Sequence, residues 1–440
     1  MQVPASEVRS VVGRHMLADG FEQVLDVRAS RGAWLVDARD GSRYLDLFTF
    51  FASNPLGMNH PGLVEDRAFL AELAMAAVNK PSNSDIYTTQ MAAFVDTFAR
   101  VLGDPALPHL FFVEGGALAV ENALKTAFDW KSRHNELHGR SGELGAKVLH
   151  LRQAFHGRTG YTMSLTNTDA NKVARFPKFN WPRIDSPAMR FPLDDHLAAV
   201  ERAEAQALEQ ARAAFAAHPH DIAAFIAEPI QGEGGDNHLR GEFLQAMKSL
   251  CHEHDALFIL DEVQTGAGMT GSVWAYQQLG VTPDIVAFGK KTQVCGIMAG
   301  GRVDEIAENV FAVSSRINST WGGNLTDMVR STKILEVIES ENLVDNAREA
   351  GAHLLAGLQA LAAARPEQVS NPRGRGLMCA VDLPDAQIRD AVASRLLTDE
   401  QVIMLGCGER SLRFRPPLTI SRDELDAGLQ ALDRVLEKTA

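Results

Sequence analysis

An α/β fold with a mainly parallel sheet, joined to a smaller α+β domain, is what this sequence predicts. Three observations lead there. Short apolar runs alternate with helical stretches through the middle of the chain, and the last third changes to long helices and isolated short strands. The length of 440 residues is enough for about three units of roughly 150 residues each.

The apolar runs lie at 110–113, 148–151, 222–227, 256–260 and 285–288. Each is short, continuously apolar and bounded by charged residues, Gly or Pro, the pattern of strands buried on both faces. Val120, Ala123, Leu124, Ala127 and Phe128 recur at helical spacing, and the stretch 195–217 is Ala-rich. A helix between successive strands makes a parallel sheet covered on both sides. The polar stretch 131–146 reads as a solvated loop.

Further on, helices are expected at 324–340 and 343–364, and strands near 377–381 and 412–414. A closing helix opens with Ser421 and Glu424 in capping-box spacing and carries Leu425, Leu429, Leu432 and Leu436 on one face. A DG-type turn within 37–47 predicts a hairpin near the N-terminus. The expected organisation is an N-terminal segment 1–60 that joins the small domain, a large domain 61–325 and a C-terminal small domain 326–440.

Composition narrows the function. Hydrophobic residues make up 45% and charged residues 22%, as in a protein with a large core. Asp plus Glu is 56 against 43 Lys plus Arg, a net charge of −13. That balance opposes non-specific binding to nucleic acid or anionic lipid, which need a basic surface. The first twenty residues lack an apolar h-region, and no apolar run is long enough to span a membrane, so a cytoplasmic location is expected. The four Cys are far apart without CxxC spacing, which predicts reduced structural thiols and no metal site.

Several polar residues stand just past the ends of the buried strands, where an open α/β sheet forms its ligand crevice. Gly115, Gly116 and Ala117 follow the first run. They offer free N–H groups and a helix dipole to a phosphate, or simply make a tight turn. Asp261 ends another run. A carboxylate there needs a cation or several donors, such as a protonated ring nitrogen, or else serves as an N-cap or in a structural salt bridge. Lys290 follows Gly289 at the end of the run 285–288. It is a candidate Schiff-base amine, with a surface Lys pair as the plain alternative. Together the three match what pyridoxal 5′-phosphate requires of a protein.

Six ordered strings then carry a resemblance over essentially the whole chain: Phe155-His156-Gly157-Arg158, Glu228-Pro229-Ile230-Gln231-Gly232-Glu233-Gly234-Gly235, Asp261-Glu262-Val263-Gln264-Thr265-Gly266, Gly289-Lys290, Thr320-Trp321-Gly322-Gly323-Asn324 and Arg413-Phe414-Arg415-Pro416-Pro417-Leu418. The chain resembles the class III, fold-type-I pyridoxal-phosphate-dependent aminotransferases. It is most similar to the branch that acts on the 6-amino group of lysine, through the segments 79–85, 114–122 and 289–296. It departs from the general class III pattern at Lys291-Thr292-Gln293, Met269 and Glu114-Gly115. The first and third departures agree with the lysine branch.

The resemblance implies roles. Lys290 would hold pyridoxal 5′-phosphate as a Schiff base and shuttle the proton. Asp261 would face the ring nitrogen, Phe155 and Val263 the two ring faces, and Gln264 the ring hydroxyl. Gly116 and Ala117 would cradle the phosphate, completed by Thr320 from the second subunit of a homodimer, and Glu228 would support the hydrogen-bond network. Arg158 would bind the substrate's distal carboxylate and Arg413 the α-carboxylate of 2-oxoglutarate. Glu233 would gate Arg413, pairing with it in one half-reaction only, and Asn318 would contact lysine's polar end. Arg415 is read as a strand-end salt bridge. Lys291 is expected to point away from Lys290 by alternation along an extended segment.

The implied reaction is ping-pong transfer of the ε-amino group of L-lysine to 2-oxoglutarate, giving L-2-aminoadipate 6-semialdehyde and L-glutamate. The alternatives are an ornithine or 4-aminobutyrate donor on the same scaffold, or a pyridoxal-phosphate-binding protein that does not transaminate.

Overall fold

The computed structural model describes residues 3–439. A seven-stranded sheet forms its centre, in the order His109–Val113, Cys295–Ala299, Ile285–Phe288, Leu257–Asp261, Ile222–Ala227, Lys147–Leu151 and Arg183–Ile184. All five predicted runs are strands of this sheet. The strands from Ile285–Phe288 to Arg183–Ile184 pair in parallel. Cys295–Ala299 is antiparallel to both neighbours. The reason is local: only six residues separate Phe288 from Cys295, too few for the crossover a parallel partner needs. That tight return contains Lys290.

Helices cover the sheet. Gly116–Leu137 buries Ala119, Val120, Ala123, Leu124, Ala127 and Trp130, the face its helical spacing marks out. It also corrects one expectation, since residues 131–137 are its last turns rather than a solvated loop. Lys131 is fully buried, and its ammonium donates to the backbone carbonyls of His254 (3.1 Å) and Asp255 (2.5 Å). Asn135 donates to the carbonyls of Leu144 and His220. These polar side chains are inside because each meets an acceptor there.

The last third packs the helices Leu325–Ser340 and Leu343–Ala364 with a four-stranded antiparallel sheet, in the order Ser370–Arg375, Met378–Asp382, Ser411–Phe414 and Leu405–Cys407. The hairpin Trp34–Val36 and Arg43–Asp46 forms as predicted, and Val402–Ile403 adds to it in parallel. One small sheet thus holds strands from both ends of the chain. Arg422–Glu437 closes the fold behind the Ser421–Glu424 capping box, with Leu425, Leu432 and Leu436 buried and Leu429 half-buried. All four cysteines are free and buried.

Candidate active site

The C-terminal ends of the parallel strands open into a cavity of about 440 Å³. Eleven of the expected residues line it: Lys290, Asp261, Phe155, Glu228, Val263, Gln264, Gly116, Ala117, Arg158, Glu233 and Arg413. Topology explains the convergence, because Ala287 pairs with Asp261 on the next strand and Lys290 follows three residues later.

Asp261 is buried and accepts hydrogen bonds from the Nδ1 of His156 (2.8 Å) and the backbone N–H of Val263 (3.1 Å). Glu228 accepts from the backbone N–H groups of Phe155 (3.0 Å) and Gly232 (3.2 Å). Burial first, and then the neighbouring Asp261, hold the Glu228 carboxyl well above the ordinary carboxylate range. Burial also pushes the Lys290 amine below its ordinary range, and the Arg413 guanidinium adds to this while Asp261 opposes it. A lowered pKa makes the amine a readier nucleophile and base.

Lys291 is the rival amine. Its pKa is driven well below the lysine range, again by burial first and by Lys290 next. It does point away from the cavity, but not by alternation along an extended strand. Lys290–Thr292 is a 3₁₀ turn, and Lys290 itself sits at φ 56°. The Lys291 ammonium donates to the backbone carbonyls of Gln264 (2.7 Å) and Ala52 (3.4 Å). The side chain of Gln264 turns its oxygen to Arg415, which donates to it twice at 3.0 Å. What Gln264 offers the cavity is therefore its N–H pair. Arg415 is fully buried against Asp236, a salt bridge at the strand end.

The carboxylate of Glu233 lies against the ammonium of Lys172 and accepts from Thr168 Oγ1 (3.0 Å). Arg413 is buried and donates to the carbonyl of Gly232 (3.2 Å). Among the described residues no carboxylate pairs with Arg413. Arg158 is exposed at the cavity wall.

Two expected residues are not brought to the cavity. Thr320 and Asn318 are exposed on the loop before Asn324, and Asn318 Oδ1 accepts from the N–H of Ser319 instead (2.8 Å). The loop is anchored by Ser84, which donates to the carbonyl of Ser319. Thr320 is the residue that the resemblance assigns to a second subunit's site. Asn318 likewise does not line the cavity of its own chain.

Two further residues were missed. His156 lies between Phe155 and Gly157 of the quoted string, and the need of a buried carboxylate for a donor was the available signal. Phe51 gave none. It belongs to a turn, Thr49 to Ala52, in which all four residues have φ between 41° and 63° without a glycine. Left-handed backbone costs about 1–2 kcal/mol per L-residue, so the turn needs ties. Asp46 Oδ1 accepts from the N–H groups of Phe48 (3.0 Å) and Thr49 (2.7 Å), Thr49 Oγ1 donates to the carbonyl of Arg415, and Gln293 to that of Ser53. The result is a Phe51 ring 5.8 Å from Lys290 Nζ and 5.9 Å from Arg413 Cζ.

Comparison with known proteins settles the family. A profile of the class III aminotransferases matches residues 17–436. The chain belongs to this family. It is 64% identical over 428 residues to the L-lysine-epsilon aminotransferase of Amycolatopsis lactamdurans, covering 97% of this chain and 95% of that one. It is 32% identical to the mitochondrial 4-aminobutyrate aminotransferase of Homo sapiens, over 88% of this chain and 80% of that one. The structure of the lysine aminotransferase from M. tuberculosis in the internal aldimine form superposes with a TM-score of 0.98 at 63% identity, covering all of both chains.

Pyridoxal 5′-phosphate is the cofactor of the class III aminotransferases, and the residues here fit it. A side chain at Gly116 would meet Val263 Cγ1 at 3.0 Å, and one at Gly157, where φ is 122°, would meet the Ala117 Cβ at 2.5 Å. Backbone is thereby left open to a ligand at the start of a 22-residue helix. A buried acid, an amine whose pKa burial lowers and an aromatic ring complete the set.

Proposed function

We propose that this chain transfers the ε-amino group of L-lysine to 2-oxoglutarate, giving L-2-aminoadipate 6-semialdehyde and L-glutamate in a ping-pong cycle. The observation that carries the reading is one cavity holding both Lys290, whose pKa burial lowers, and a buried Arg413 without a carboxylate partner among the described residues. The high identity to L-lysine-epsilon aminotransferases supports lysine as the donor.

When bound, the cofactor supplies an aldehyde for amines and a ring that accepts electrons. Lys290 would be the amine that holds it and, when free, the base that would move a proton at the substrate carbon bearing the amino group. Asp261, steadied by His156, would keep a proton on the ring nitrogen. Phe155 and Val263 would confine the ring, Gln264 would donate to its oxygen, Glu228 orders the Phe155 and Gly232 backbone, and the N–H groups at Gly116 and Ala117 would hold the phosphate.

Carboxylates are sorted by charge. Arg158 takes the α-carboxylate of lysine or the γ-carboxylate of 2-oxoglutarate, and Arg413 takes the α-carboxylate of 2-oxoglutarate. A free Arg413 beside lysine's ammonium end would repel it. Glu233 covers Arg413 in that half-reaction and leaves it in the other. The protein works as a homodimer in the cytoplasm, with Thr320 and Asn318 reaching the site of the partner. No helix among the described residues is long and apolar enough to cross a membrane.

Single-turnover spectra with lysine, ornithine and 4-aminobutyrate, each followed by 2-oxoglutarate, test the reading. The cofactor band is expected to bleach fastest with lysine and to return with 2-oxoglutarate. Faster bleaching by ornithine or 4-aminobutyrate would overturn the donor, and no bleaching with any amine would overturn transamination.

A further inference from the structure

Glu233 has a second partner that its proposed gating role does not explain. Its carboxylate lies on the Lys172 ammonium and accepts from Thr168, both contributed by the segment after the Gly160–Leu165 helix. That segment is built to stay in place. Asn167 donates to the carbonyls of Leu151 (3.1 Å) and Leu165 (2.8 Å) and accepts from the N–H of Gln153 (2.6 Å), and Asp169 caps the turn that carries Lys172.

The Glu233 backbone is fixed as well. Its carbonyl accepts from the N–H of Gly408 (2.8 Å), and a Cβ on the adjacent Gly234 would lie 2.0 Å from the carbonyl oxygen of Gln153. Rotation of the side chain is therefore the remaining freedom. Arg413 already bonds the carbonyl of Gly232, the residue just before Glu233. Arg413 and Glu233 line the same cavity, so a buried cation shares the wall with a carboxylate that lies on the partly solvent-exposed Lys172.

These two positions differ in kind. The Lys172 pair is partly exposed, 32% and 23% for the two side chains, so screening keeps it weak and exchangeable. A pair with buried Arg413 is stronger electrostatically but carries a desolvation cost. Two alternative seats for one carboxylate make a switch that a substrate carboxylate can tip, since a ligand shifts a two-state equilibrium only by its differential affinity.

We propose that Lys172, with Thr168, is the second seat of the Glu233 side chain and sets how readily Arg413 is freed for an acidic substrate. Lys172 is a positioning residue that acts through Glu233. The inference rests on the gating role proposed above for Glu233.

The test compares holoenzyme carrying Lys172→Met, Lys172→Arg, Glu233→Gln and the double variant Lys172→Met/Glu233→Gln. Lys172→Met is expected to raise KM for 2-oxoglutarate about three- to fivefold, the reach of an exposed ion pair, with kcat and KM for lysine unchanged or KM for lysine lower. Calorimetric affinity for glutarate, a dicarboxylate that cannot react, is expected to fall by the same factor. Lys172→Arg is expected to restore both, and Lys172→Met to add nothing once Glu233 is Gln. Equal loss with both substrates would overturn the proposal as a merely structural effect. A further loss in the double variant would overturn it by showing that Lys172 touches substrate directly. Normal glutarate binding in Lys172→Met would overturn it too. If Glu233→Gln also leaves the lysine-to-2-oxoglutarate preference intact, the gate itself fails. If only Lys172→Met is silent, the gate stands and its second seat does not.

Discussion

At the scale of single residues the site is a set of groups whose charge is decided by burial. Lys290 and Asp261 are legible from the sequence because each ends an apolar run, and a polar residue there must face the sheet edge. His156 is not, because its partner Asp261 lies 105 positions away. Hydrogen bonds to charged groups contribute about 1.5–3 kcal/mol. His156→Leu, which deletes one such bond to a buried carboxylate, is therefore expected to weaken cofactor retention roughly 10- to 100-fold. Equilibrium dialysis against graded pyridoxal 5′-phosphate measures it, and unchanged retention would show that Asp261 needs no support.

Among the elements, the left-handed turn from Thr49 to Ala52 shows most clearly what sequence reading misses. Periodicity reports strands and right-handed helices, and four non-glycine residues at positive φ leave no mark in it. The buried strands were readable because both faces are apolar. The two-residue edge strand Arg183–Ile184 and the strand Cys295–Ala299 were missed, one for its brevity and the other for its glycine beside a tight return. Stretch 131–137 was misread because its polar side chains find carbonyl partners inside the fold.

Two outcomes test the turn. Phe51 lies at φ 61°, so Phe51→Gly is expected to be more stable than Phe51→Ala by about 1 kcal/mol. That order is the reverse of the one in a right-handed helix interior, and urea unfolding of the two variants reads it directly. The second outcome is a pH dependence. Burial raises the Asp46 carboxyl to about 6, against the two N–H groups it accepts from. A folded pKa above the unfolded value means stability is fully present at low pH and is lost as pH rises through about 6. Asp46→Asn keeps an acceptor for both N–H groups but cannot ionise. The variant is expected to match the native chain near pH 4 and to exceed it by up to about 3 kcal/mol above pH 7. Parallel pH curves would remove Asp46 ionisation from the account.

For the whole molecule, Thr320 and Asn318 stand outside the cavity of their own chain, and the proposed homodimer would bring Thr320 to the site of the partner. Thr320 stands in one of the family's strings and Asn318 just before it, and only the resemblance assigns Thr320 to the second subunit. Lys290→Ala and Thr320→Ala chains co-expressed under different tags give hybrid dimers. If Thr320 serves the neighbouring site, each hybrid holds one doubly defective site and one intact site, and activity returns above that of either variant alone. Hybrids as inactive as their parents would place Thr320 in its own chain's site or in none.

The central claim is that Lys290, rather than the more deeply buried Lys291 beside it, is the amine that holds the cofactor. Borohydride reduction of the holoenzyme followed by peptide mapping tests it directly. The account expects the pyridoxyl label on Lys290 alone. Label on Lys291 or any other lysine, or on none, would contradict it.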